Sequence, residues 1–398
     1  MNREQLKIIL NQVFTPIQPV QEKDFFRGRL NQLTKIVDAI NEKGQHAILY
    51  GERGVGKTSL ANIMYKSYTN IYPVKITCER RHTFQTLWED AFSKIKYSTT
   101  VEGIGFIPSK SEQLITMNEC ITNSEIKTNQ IVELLNELGD DFRLMFIFDE
   151  FDNIMDAATR ASFADLIKSL SDNNINSTVV LVGIADSIEE LIGNHQSLER
   201  CLKQVKMPRM KRDECEEIVT KGLRLLQFKI DKEVLEKIIE FSSGFPHYVH
   251  LLCKYGCMEL IENEKNTFSL PYLSIAINKG IENTSEQLRI SYRKAVLTAN
   301  SSDKWKNLLS ACANCELDEF NSFSIADIVK QFNKITSKTT NRTSRNSDIN
   351  YNINELTKVS RGEILTKLGR GKSTRYSFNN PMMRAFIKLK IYSNSIPS

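Results

Sequence analysis

One run of eight residues, Gly51-Glu52-Arg53-Gly54-Val55-Gly56-Lys57-Thr58, carries the most specific chemistry in the chain. Glycines at its first, fourth and sixth places allow main-chain N–H groups to curl around an anion. Lys57 adds a point charge for the β- and γ-phosphates of a nucleotide. The Thr58 hydroxyl, with Ser59 beside it, is a hard oxygen ligand for Mg²⁺. Gln45–Tyr50 reads as a short buried strand entering this turn, and a helix is expected from Lys57 to about Ser67. The positive end of that helix then faces the phosphates.

The second chemical segment is Leu144-Met145-Phe146-Ile147-Phe148-Asp149-Glu150. Its continuous apolar run suits a parallel strand covered on both faces, and it ends in two acids. Asp149 at the strand end would stand beside the metal, usually through water, and Glu150 would polarise an attacking water. Asp152 and Asp156 read as a charge cluster at a helix N-terminus. The implied cofactors are ATP and Mg²⁺. Cys253/Cys257 and Cys312/Cys315 have helical spacing inside apolar patterns and lack the His or Asp neighbours of a tetrahedral set, so they read as buried small hydrophobes.

These segments need a scaffold, and the pattern around them supplies one. Strands at Gln45–Tyr50, Tyr72–Cys78, Arg143–Phe148, Ser177–Ile184 and Val205–Pro208 alternate with helices, which predicts a parallel α/β sheet. A polar, weakly periodic insertion is expected up to about Glu125. From Lys211 to about Asn300 only helices are expected: Lys211–Gln227, Lys232–Ser242, Tyr248–Asn263 and a long one near Leu273–Ala299. Beyond Ser302 the reading is helices at Trp305–Ala313 and Ile325–Phe332, a polar loop at Thr336–Asn350, and a third helix near Ile353–Ser360. Two short strands joined by a basic loop then fall within Leu368–Phe378. That order is the order of a winged helix.

Composition narrows the class further. The 398 residues are 41% hydrophobic and 25% charged, with 9 prolines and 17 glycines, as in folded globular chains. No leader-like start and no apolar run of membrane-spanning length is visible. The eight cysteines are scattered, as in a reducing compartment. A cytoplasmic protein without a membrane partner is expected. From Thr336 onward twelve lysines and arginines face three acids, so the chain before it is slightly acidic although the whole carries +5. A basic terminal domain points to an anionic partner, nucleic acid first.

Five segments occur in one order from Phe26 to Val249: Phe26-Arg27-Gly28-Arg29, GERGVGKTSLAN, IFDEFD, VVLVGIADS and GFPHYV. Together they resemble AAA+ ATPases of the origin recognition complex and archaeal replication initiator type, in the bacterial branch bordering the STAND signalling ATPases. The resemblance covers the first 300 residues well and the last hundred loosely. It implies a P-loop NTPase of the α/β class: a parallel-sheet core, an all-α lid and a C-terminal winged-helix-like domain. The implied boundaries are an arm at 1–24, the nucleotide-binding core at 25–210, the lid at 211–300 and the basic domain at 301–398.

The same resemblance implies further roles. Arg27, Gly28 and Arg29 would lie near the adenine. Asp186 stands at the sensor-1 place, where a polar residue helps hold the attacking water. Arg200 stands where related ATPases carry an arginine finger, offered across a subunit interface in a nucleotide-dependent homo-oligomer. Pro246 and His247 occupy the lid position where initiators usually carry an arginine, and the Gly-x-Pro arrangement is more similar to the STAND version. Arg361, Lys367, Arg370, Lys372 and Arg375, interleaved with Tyr376 and Phe378, are candidates for contact with double-stranded DNA. The implied function is an ATP-hydrolysing switch that assembles on or remodels DNA. The alternatives are a STAND-like defence or signalling ATPase that docks a protein effector, and a transposition-type regulator.

Overall fold

The computed structural model describes residues 2–16, 29–67, 71–102, 110–120, 126–139, 143–185, 187–193, 198–297, 302–337, 343–369 and 371–395. The chain divides into two compact units, one of residues 19–52 and 56–208, the other of 1–18, 53–55 and 209–398.

The first unit is built on five parallel strands: β1 (His46–Gly51), β2 (Tyr72–Thr77), β3 (Leu144–Asp149), β4 (Ser177–Ile184) and β5 (Leu202–Lys206). Their order across the sheet is β2-β3-β4-β1-β5. Every neighbouring pair runs parallel, with Phe146 beside Val179 and Val180 beside Ala47. All six residues of β3 are buried, as its unbroken apolar run requires. One of its faces is aromatic: Trp88 packs edge-on to Phe146 at 4.8 Å between ring centroids, and Phe163 packs on Phe148 at the same spacing. This packing fixes the carboxyl end of β3, where the acids emerge. The last strand begins at Leu202, earlier than the expected Val205, because Leu202 and Val205 are both buried against the sheet. The expected irregular insertion contains an antiparallel hairpin, Lys96–Glu102 with Lys110–Thr116.

His46 opens β1 wholly buried, and its Nδ1 accepts a hydrogen bond from Val179 N at 3.0 Å. The ring is therefore neutral in the fold, and burial lowers its pKa to about 3.

The second unit begins with the helix Arg3–Val13, where an arm was expected. Phe14 meets the His250 ring edge-on, Thr15 N donates to His250 Nδ1 at 3.3 Å, and Pro16 O lies 2.7 Å from His247 Nδ1. Burial lowers the pKa of His250 to about 4 and also lowers that of His247. The helices Arg212–Leu226, Lys232–Ser242 and Pro246–Glu262 fall close to their predicted spans. The long final helix does not form as one piece. It is two, Leu270–Glu282 and Glu286–Val296, because Asn283 ends the first and Ser285 opens the second.

The terminal part follows the element order expected of a winged-helix-like domain: helix Ser302–Asn314, strand Phe323–Ser324, helices Ile325–Thr336 and Asn346–Glu355, then strands Leu365–Leu368 and Arg375–Phe378. The strands form a three-stranded antiparallel sheet with Arg375–Phe378 in the centre, and a helix Met383–Ser395 follows. The third helix begins earlier than predicted, with its first half in the segment read as a polar loop and its end overlapping the predicted helix. Its asparagines hid a buried stripe of Ile349, Asn352, Ile353 and Leu356 at three- and four-residue spacing. No described helix is long and apolar enough to cross a membrane.

The buried histidines give a signed prediction. Their folded pKa values lie below the ordinary value of about 6.5, so protons bind the unfolded chain first as pH falls. Their contribution to stability is therefore full above about pH 6.5 and is lost progressively as pH falls toward about 4 for His250 and about 3 for His46. Thermal unfolding followed from about pH 7.5 down to about pH 5 should show a falling midpoint. A His46→Leu variant should start lower and fall less steeply; an equal or steeper fall would remove His46 from the account.

Candidate active site

Gly51 ends β1 with φ 149°, and a Cβ there would stand 2.4 Å from the main-chain oxygen of Met207. Only glycine allows β1 and the segment after β5 to come this close. Gly54 and Gly56 follow with φ of 87° and 100°, so the loop curls before the helix Lys57–Ser67 begins. Val55 is buried. Lys57 is 8% exposed, and its Nζ donates to Gly51 O and Glu52 O, both at 2.8 Å. The ammonium is thus pinned at the loop mouth by two carbonyls. Thr58 and Ser59 occupy the next places of the helix.

The Thr58 hydroxyl lies 3.4 Å from Asp149 Oδ1, so the two motifs meet although β1 and β3 are separated by β4. Asp149 is 2% exposed. Its Oδ1 also accepts from Glu150 N at 3.0 Å, and its Oδ2 pairs with Lys75 Nζ at 2.9 Å. Glu150 has φ 57°, a left-handed turn that carries its side chain off the strand line. Glu150 Oε2 accepts from Asn153 Nδ2 at 3.2 Å, and the same amide donates to Cys78 O at 3.1 Å. Burial raises the Cys78 thiol pKa, and the charges of Asp149, Asp152 and Glu150 raise it further, so the thiol is inert and the local field is negative.

Asp152 and Asp156 part company. Asp156 caps the helix Ala157–Asp172 through Ala158 N and Thr159 N, as a helix-start acid should. Asp152 is not the cap of that helix; its Oδ1 accepts from Ile184 N at 2.8 Å and ties the turn after β3 to the end of β4. Lys75, Asn153 and this Asp152 bond escaped the sequence reading. The available signal was a lysine inside an otherwise strand-like Tyr72-Pro73-Val74-Lys75-Ile76-Thr77.

The other expected residues divide as follows. Arg27, Gly28 and Asp186 lie outside the described residues. Arg29 is 1% exposed and its Nη2 donates to Pro208 O at 2.6 Å, holding the start of the helix Leu30–Asn41. Arg200 pairs with Asp172 at 2.6 Å just before β5. This is the amino edge of the strands, about 20 Å of strand length from the loop at their carboxyl edge. Pro246 and His247 open the helix Pro246–Glu262 in the other unit.

Among the basic candidates, Arg370 is outside the described residues and Lys367 is exposed. Arg375 is bound to Asp318 Oδ2 at 2.7 Å and to Ser322. Arg361 stacks 4.2 Å above the Trp305 ring. The two cysteine pairs are buried free thiols, and no described group of three or more His, Cys, Asp or Glu side chains could hold a metal. A single hydroxyl with a single carboxylate fits a hard ion that takes its remaining ligands from phosphate and water, as Mg²⁺ does.

The Novel STAND NTPase 1 family model matches residues 17–347. A search of curated proteins gives no match. Among solved structures, the Walker-type ATPase paby2304 of Pyrococcus abyssi aligns with a TM-score of 0.50 and 16% identity, over 94% of this chain and 99% of that one. The Aeropyrum pernix Orc1 protein in complex with DNA gives 0.46 and 15%, over 97% and 96%. Cdc6p from Pyrobaculum aerophilum gives 0.47 and 13%, over 96% and 98%. At such identities the likeness concerns the fold. With its sheet order, phosphate loop and acid pair, and with a family match spanning most of its length, the chain belongs to the Novel STAND NTPase 1 family.

Proposed function

We infer that the chain binds ATP with Mg²⁺, hydrolyses it slowly and uses the bound state as a switch. The observation that carries this is the meeting of Lys57, Thr58 and Asp149 at the carboxyl edge of the sheet, with Glu150 one residue further on. Main-chain amides of the loop cradle the phosphates, and Lys57 gives up Gly51 O and Glu52 O for charge-assisted bonds to them. Thr58 and, through water, Asp149 would hold Mg²⁺, which when bound neutralises charge on the β- and γ-phosphates. Glu150 takes the proton of the attacking water, and Asn153 holds its carboxylate in orientation. Asp186 helps hold that water; the Asp152 bond to Ile184 N steadies the strand leading to it.

The remaining assignments follow the same reading. The adenine is assigned to Arg27, Gly28 and Arg29, the first two of which lie outside the described residues. Arg200, remote from its own phosphate loop along the strands, serves as a finger only for the site of another subunit. Lid sensing falls to the helix start at Pro246 rather than to the His247 ring, whose Nδ1 is engaged with Pro16 O.

For the output, exposed Arg345 and Lys367 flank the helix Asn346–Glu355 and its wing, and they support phosphate contact with duplex DNA. A protein effector is the second reading. It is favoured by the internal engagement of Arg361 and Arg375 and by the lack of any lysine or arginine within Asn346–Glu355.

Two experiments check this. Lys57→Ala should abolish tight ATP binding, whereas Glu150→Gln should keep binding and slow turnover by about a hundredfold or more. Hydrolysis by Glu150→Gln at the parent rate would remove Glu150 as base. In a duplex-binding salt series, Lys367→Glu should weaken affinity and flatten the log–log salt slope by about one. Arg375→Ala should chiefly lower the melting temperature. Absence of salt-dependent duplex binding by the parent would leave the effector reading.

A further inference from the structure

Lys75 has no part in the chemistry described so far, yet it holds the carboxylate on which the site turns. It lies on β2, the edge strand next to β3. Val74 and Ile76 are buried in the aromatic core. Side chains alternate along a strand, so Lys75 rises from the opposite face. There its Nζ reaches Asn62 Oδ1, on the helix that follows the phosphate loop, at 2.5 Å, and Asp149 Oδ2 at 2.9 Å. The Lys75 side chain is 18% exposed and that of Asp149 3%. The other oxygen, Oδ1, already receives Glu150 N and the Thr58 hydroxyl. Both oxygens of Asp149 are thus committed within the fold, one of them to a full positive charge.

A divalent cation beside Thr58 draws on this same carboxylate. Like charges a few ångströms apart, poorly screened by water, repel strongly. We propose that Lys75 competes with the divalent cation for Asp149 and so sets the Mg²⁺ concentration at which the site closes tightly on nucleotide. The proposal rests on the Mg²⁺–ATP reading above. It makes Lys75 a positioning residue that acts through Asp149, and it predicts that removing the ammonium makes the site more receptive to metal.

The test is a Mg²⁺ titration of the full chain at fixed fluorescent ATP analogue, read by anisotropy, for the parent and for Lys75→Met, Lys75→Gln and Lys75→Arg. The neutral variants should reach half-saturation at about tenfold less Mg²⁺, and Lys75→Arg, which keeps the charge, should stay near the parent. MgCl₂ without nucleotide should raise the melting temperature of the neutral variants more than that of the parent, since it restores a counter-charge to Asp149. A lysine that only braces β2 would lower the melting temperature and leave the Mg²⁺ midpoint where it was; that result overturns the proposal, as does a higher midpoint. A parent that binds the analogue with no midpoint shift in the variants defeats the Lys75 proposal alone. A parent that binds no analogue at any Mg²⁺ concentration defeats the nucleotide reading with it.

Discussion

A carboxylate held almost out of water at the end of an apolar strand is costly unless its charge is answered. Asp149 is in that position, 2% exposed, and the surrounding structure can be understood as the answer. Lys75 supplies the counter-charge, and Glu150 N and the Thr58 hydroxyl supply hydrogen bonds. The strand order β2-β3-β4-β1-β5 is what makes this possible. It sets β2 with its lysine directly beside β3 and brings the helix after β1 over the same strand ends. The aromatic packing of Trp88, Phe146, Phe148 and Phe163 beneath keeps the end of β3 from relaxing toward water.

Charge elsewhere in the chain is spent on the fold more often than its sum suggests. Arg29 is buried and bonded to Pro208 O, and the partly exposed Arg361, Arg375 and Arg384 are engaged by the Trp305 ring, by Asp318, and by the carbonyls of Ala313 and Cys315. Guanidinium groups suit this work because each can satisfy several acceptors at once. The basic surplus of the terminal domain is therefore a poor guide to the strength of an electrostatic footprint, and individual exposed residues such as Lys367 are the better guide.

The core of the site was legible because its signals are local: Gly51 to Thr58 and Leu144 to Glu150 each place their chemistry within one turn or one strand. The sheet itself followed from unbroken apolar runs alternating with helices. What escaped depended on how the folded backbone brings residues together. Lys75 meets Asp149 only because β2 and β3 pair, and Asn153 meets Glu150 only because Glu150 turns left-handed. The helix Asn346–Glu355 was placed too late because the polar residues of its first turns favour loops in isolation, while Ile349 and Ile353 become decisive only once buried. The break at Asn283–Ser285 shows the reverse: a stop signal present in the sequence, overridden in the reading by flanking helical periodicity.

The central claim is that affinity resides in the phosphates, gripped by the loop amides and Lys57 with Asp149 nearby. Calorimetric titration of the parent chain with ATP, ADP and AMP in the presence of Mg²⁺ tests this most directly. The account predicts one saturable site that binds ATP and ADP, with AMP weaker by roughly a hundredfold or more, since AMP lacks the oxygens that Lys57 and the loop would hold. Equal affinity for all three, or no affinity for any, would contradict it.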